Sequence, residues 1–150
     1  MHVFHDLRSR LLVALTFLIL PLILLAPVIL GGRSLLPVDN LISYEPWQSV
    51  AADFDLGSPD APRNALISDL ILENYVWKRF ILQAIESREL PLWNPYIFAG
   101  APFLASGQHS MLYPFTVIFY LIPLSNAYGW FMLSQYFLAG VFAYLFVRGI

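Results

Sequence analysis

There is no cysteine among the 150 residues. That removes a disulfide framework, a thiolate zinc site and a cysteine nucleophile. Charge is scarce too. Only 12% of residues are Asp, Glu, Lys or Arg, and the formal net charge is −2. No basic cluster exceeds the pair Lys78–Arg79, so nothing here suits a nucleic-acid backbone, which is bound by grouped Lys and Arg. A nucleophile elbow, a phosphate loop, HExxH and paired metal-histidine spacing are all missing. What is abundant is apolar surface, at 59% hydrophobic residues against roughly 45–50% in a soluble domain. With 16% aromatics, the chain is also far from disordered composition.

The apolar residues are grouped. Leu11 to Leu30 is an uncharged run that meets the ~20 residues needed to cross a hydrocarbon core of ~30 Å. Pro21 and Pro27 lie inside it and should bend it. Arg8 and Arg10 precede it. The run is longer than a signal-peptide core, and Gly31-Gly32 is followed by Arg33 rather than by a small-residue cleavage site. An uncleaved first span is therefore expected at 11–30, with 1–10 in the cytoplasm by the positive-inside bias. A second span is expected at 127–147, with Tyr128 and Trp130 near its start and Arg148 at its end. The stretch 111–124 is apolar but short, and Pro114 and Pro123 punctuate it. If it does not cross, Arg148 returns to the cytoplasm, so an interfacial or re-entrant helix is expected there.

The segment 31–110 then faces outward. It holds nine acidic residues against five basic ones. Pro59, Pro62 and the acids around Asp53–Asp60 read as a turn-rich connector. Asn64 is a candidate N-cap for a surface helix over about 65–90 that stops before Pro91. On that helix Ser68, Asp69, Glu73, Arg79, Gln83 and Glu86 share one sector, and Leu70, Trp77, Ile81, Ala84 and Ile85 lie opposite. Leu72, Val76 and Phe80 intrude on the polar sector. The segments Asp39–Trp47 and Asp69–Trp77 each place an aspartate eight residues before a tryptophan, which suggests two comparable elements facing one cavity. The fold class expected is thus an all-α membrane protein, with two spans flanking an external loop.

The chemistry on offer is carboxylate chemistry. Asp39 lies nine residues beyond the first expected span, hence near the membrane surface. It could serve as a general base on a hydroxyl or hold a divalent cation through oxygen; the residues by themselves favour the plainer alternative, a solvated aspartate capping a turn. Asp69 could simply favour the first turn of its helix. Trp93, Asn94, Tyr96, Phe98, Gln108 and His109 form a second set, within a stretch from Glu89 to Pro114 rich in aromatics, proline and glycine. That stretch reads as an irregular cap on a membrane surface. Aromatic faces with amides suit sugar rings, and aromatics at a membrane interface are the plainer alternative.

One resemblance draws these residues together. A membrane helix is followed by an Asp with Pro46-Trp47 shortly after, by Asn64 and Asp69, by LPLWNPYIFAGAPFLA over 90–105, and by Gln108 and Tyr113-Pro114. In this order the chain resembles the amino-terminal region of the bacterial YfhO-like multi-pass membrane proteins, which group with GT-C type glycosyltransferases. The resemblance implies transfer of a sugar from a polyprenyl-phosphate donor to a cell-envelope acceptor, outside the cytoplasmic membrane. It implies that Asp39 is the acid of the first external loop, as base or metal ligand, and that Asp69 occupies a second acidic position. Relatives of that kind are several times longer, so this chain is expected to be an amino-terminal fragment, inactive alone. The alternative is a small non-enzymatic two-span membrane protein whose external cap binds a partner or lipid.

Overall fold

The computed structural model describes residues 2–54 and 64–150. The connector expected around Asp53–Asp60, with Pro59 and Pro62, lies outside the described residues beyond Phe54. The described chain is mostly helical and divides into two units, 1–35 with 125–150, and 36–124.

In the first unit, α1 spans His2–Leu24 and α2 spans Ala26–Ile29. The expected span 11–30 is therefore not one helix. Pro27 has no N–H to continue the ladder, and it sits in the first turn of α2, where that loss costs nothing. Among the described residues a single helix, α6 at Leu124–Gly149, is long and apolar enough to cross a membrane. It contains the expected 127–147 and starts three residues earlier. Its exposed side chains are mostly apolar, Phe142, Leu145, Phe146 and Val147 among them, with Ser125, Asn126 and Arg148 exposed near its ends. Glycine lets α6 take its neighbours closely. A Cβ on Gly129 would meet Val28 Cγ1 at 2.6 Å, and one on Gly140 would run into the Phe17 ring.

The second unit begins with a 3-10 turn at Val38–Ser43 and the short helix α3 at Trp47–Val50. The surface helix expected at 65–90 is realised in three parts. A 3-10 turn covers Ala65–Ile67, a π-helical turn covers Leu70–Asn74, and α4 covers Tyr75–Glu86. Asn64 is the N-cap, its side chain accepting from the Leu66 N–H at 3.1 Å. The π turn is closed by the Tyr75 N–H on the Leu70 carbonyl. One added residue there shifts the phase of everything that follows. The helix stops four residues short of Leu90 in a Schellman arrangement. Arg88 N donates to Ile85 O at 3.0 Å and Glu89 N to Ala84 O at 2.8 Å, with Arg88 in the left-handed region at φ 58.

A two-stranded hairpin follows, with β1 at Trp93–Asn94 antiparallel to β2 at Ala101–Pro102. The interfacial helix expected at 111–124 is only a 3-10 turn, Pro114–Val117, and one α turn, α5 at Ile118–Leu121. That length cannot cross a bilayer. The core of this unit joins Ile42, Ile71, Ile81, Ala84, Phe103 and Phe119 to the buried polar residues Asn40, Ser68, Lys78, Asn94, His109 and Thr116.

Candidate functional site

The second unit holds a cavity of about 680 Å³. One wall is α4 with the preceding π turn, which contributes Leu72, Glu73, Val76, Trp77, Arg79, Phe80 and Gln83. The other wall is the hairpin and the segment after it, with Asn94, Tyr96, Ile97, Phe98, Phe103, Ser106 and Gln108. Leu72, Val76 and Phe80, which break the polar sector of the helical wheel, form the apolar part of the first wall together with Trp77. The face turned inward instead carries Ile71, Lys78, Ile81 and Ala84.

Aromatic contacts hold the two walls together. The Phe80 ring meets Phe103 edge to face at 4.9 Å and Tyr96 at 6.1 Å. Behind Phe103, the His109 ring stacks at 4.2 Å. His109 Nδ1 accepts from Met111 N at 3.0 Å, so the ring hydrogen sits on Nε2 and is donated to Phe103 O at 2.9 Å. Lys78, 1% exposed, then anchors the same segment. Its Nζ donates to His109 O at 2.5 Å and to Ser110 Oγ at 3.2 Å, and lies 5.0 Å from the centroid of the Phe119 ring. Burial lowers the Lys78 pKa from 10.5 to about 8, because a desolvated ammonium is the costly form.

The expected sugar-binding set is split by this geometry. Asn94, Tyr96 and Gln108 line the cavity. Buried Asn94 turns its Oδ1 to the Tyr96 N–H at 2.9 Å and so shapes the turn as well. His109 stands behind the wall rather than in it, since its ring is taken up by Phe103 and the Met111 backbone. Trp93 is half-exposed outside the cavity, its ring packed where a Cβ on Gly100 would fall.

The two aspartates lie elsewhere. Asp39 is exposed in the first turn of Val38–Ser43, and Asp69 is exposed just before the π turn. Their chain neighbours are joined. Asn40 Nδ2 donates to Ser68 Oγ at 3.1 Å and to Asn64 O at 2.9 Å, so adjoining turns carry the two carboxylates. Asn40 Oδ1 is buried with no partner; turning the amide round would set that oxygen against the Asn64 carbonyl. Among the described residues no three His, Asp or Glu side chains come together as a metal site would. Asp39 with Asp69 falls short of the roughly six to eight oxygens around a calcium-like cation. Of the paired Asp–Trp segments only Trp77 reaches the cavity, so they do not face it as equivalents.

Sequence reasoning missed Lys78, Glu73, Arg79, Gln83, Phe80 and Phe103 as parts of the site. The signal for the helical wall was visible as three apolar residues on a polar sector. Nothing local marks Lys78, whose partners are 31 and 32 residues away.

Fold and site thus define a helical unit with an amphiphilic, aromatic-walled cavity, whose last residue opens a membrane-length helix. Comparison with protein-family models, curated proteins and solved structures returns no match.

Proposed function

We propose that this chain is the amino-terminal part of a membrane glycosyltransferase-like protein of the bacterial cytoplasmic membrane. Its cavity receives the sugar-bearing headgroup of a polyprenyl-phosphate donor on the outer side. The observation that carries this reading is the cavity wall. Aromatic faces from Trp77, Phe80 and Tyr96 stand beside the polar ends of Asn94, Gln83, Gln108 and Arg79. Sugar rings present both C–H faces and hydroxyls to such a surface, and Arg79 is a planar donor suited to phosphate oxygens. In this reading 11–30 and 127–147 both lie in the membrane with the amino terminus inside. Asp39 and Asp69 supply acid–base groups to an acceptor bound outside the cavity.

A second reading rests on those aspartates being outside the cavity: a non-enzymatic cap that binds lipid. One titration tests both. The protein in detergent micelles is titrated with a polyprenyl-phosphate-linked hexose and with the same phosphate lipid lacking sugar. Saturable binding that favours the sugar-bearing lipid, weakened about tenfold or more by F80A (~1.4 kcal/mol per decade), is expected. Equal binding of the two lipids favours the cap, and no binding of either ends both.

A further inference from the structure

From Leu90 to Val147 the chain contains no Asp, Glu, Lys or Arg. Much of that stretch is not in the membrane-length helix. Residues 90–124 belong to the second unit, and there they expose apolar side chains freely. The turn of the hairpin is the extreme case: Tyr96 is 79% exposed and Phe98 93%, with Ile97 beside them. Water is a poor solvent for such a group, and a soluble surface seldom collects one without an occupant. The backbone adds a second observation. Phe98 and Ala99 are held at φ 51 and 58, left-handed values that cost a bulky residue energy, before Gly100 at φ 113. The turn is kept in that shape by Gly100 N on Ile97 O at 2.7 Å and by Asn94 under Tyr96. The effect is to push an aromatic outward instead of folding it in.

What could cover this patch follows from where the unit ends. Its last residue, Leu124, is also the first residue of α6, so the chain passes from this unit directly into a helix of membrane length. An apolar, aromatic surface of Tyr, Trp, Phe and Ile suits the interfacial layer, where aromatic rings settle. We propose that the hairpin turn Tyr96–Phe98 inserts into the interfacial layer of the membrane. The same three residues line the cavity, so its mouth opens to lipid and its ligand is an amphiphile that arrives by lateral diffusion in the bilayer. This rests on the membrane placement of the preceding subsection and adds the route of loading.

The absence of cysteine makes a direct test available. F98C, and separately I97C, carry the only thiol in the full chain and accept an environment-sensitive nitrobenzoxadiazole label. Q48C marks the exposed, charged half of the same unit as control. The labelled proteins are reconstituted into phosphatidylcholine–phosphatidylglycerol vesicles with and without brominated acyl chains. Insertion predicts emission shifted to shorter wavelength and quenched by bromine at positions 97 and 98, with neither effect at 48. Emission at 97 and 98 like that at 48 would overturn the insertion, as would a wavelength shift without bromine quenching, which marks a protein partner as the cover. The lipid titration above is made without a bilayer. Failed labelling with intact titration therefore sinks the insertion alone, and failed titration with positive labelling sinks the ligand alone.

Discussion

The two faces of α4 each carry residues that the usual rule would place on the other. Its inward face hides an ammonium, Lys78, between Ile71 and Ile81; its outward face shows Val76 and Phe80. The contrast has one physical source on each side. Inward, the lysine is tolerated because a carbonyl and a hydroxyl meet it, and it fastens the segment behind the cavity wall. Outward, the apolar residues are tolerated because the hairpin stands across from them and makes a cavity. A helix assigned by composition alone would be turned around.

Breaking the inward face should have the largest effect. K78A removes the donors to His109 O and Ser110 Oγ and leaves a hole, so a loss of about 3 kcal/mol or more is expected from a denaturant titration in micelles. K78M fills the hole. It leaves His109 O unpaired, at about 1–3 kcal/mol, but removes a desolvated charge whose cost is of similar size and opposite sign. K78M should therefore stay within about 1 kcal/mol of wild type at neutral pH. The pH profile separates the two terms. The folded-state pKa of about 8 lies below the ordinary 10.5, so above pH 8 the unfolded chain holds a proton that the folded one has released. Stability then rises with pH from 8 to just under 10. Above 10 the trend turns, because burial raises the Tyr120 pKa and disfavours its ionised form in the fold. K78M should show no rise between 8 and 10. A rise that persists in K78M would assign it to another group.

A smaller effect is expected on the outward face. Gly100 sits at φ 113, with its missing Cβ directed at the Trp93 ring, whose nearest atom would be 2.6 Å away. G100A must displace that ring or the turn, at a cost of about 1–3 kcal/mol. Because Tyr96 and Phe98 ride on this turn, sugar-lipid affinity should fall together with the melting temperature. Affinity unchanged at lowered stability would mean that the hairpin is not a working wall of the cavity.

The outward face also shows what could be read in advance. The Asn64 cap was legible because an Asx side chain satisfies the N–H two residues on, a purely local event. The long helix near the carboxyl terminus was legible from length and apolarity. The first span was misjudged where Pro27 divides it. On the surface helix, the phase beyond residue 70 depends on a single π turn, which composition does not announce. Asn94, Tyr96 and Gln108 were recognisable as cavity residues by type. His109 and Trp93 are of the same type, and only their contacts with Phe103 and Gly100 turn them away. Asp39 and Asp69 had been expected to join the aromatics, but Asn40 fixes their turns to each other instead. The aspartates were misplaced by a contact between residues 28 apart, the other residues by local geometry that residue type does not announce.

The smallest expected change sharpens the comparison most, because stability and function should move in opposite directions. Phe98 holds a left-handed backbone at φ 51 with its ring almost wholly exposed, so the fold gains nothing from that ring. Asparagine adopts this backbone far more readily, since its short polar side chain bonds locally. F98N should therefore leave the micelle-solubilised protein as stable as wild type, or up to about 1 kcal/mol more stable. The same substitution removes the aromatic that would settle in the interface and, with it, one lining side chain of the cavity, so it should weaken loading from vesicles by more than it weakens binding in micelles. A loss of stability in F98N would show that the ring supports the fold, and the reason for holding an aromatic at a left-handed position would then be structural.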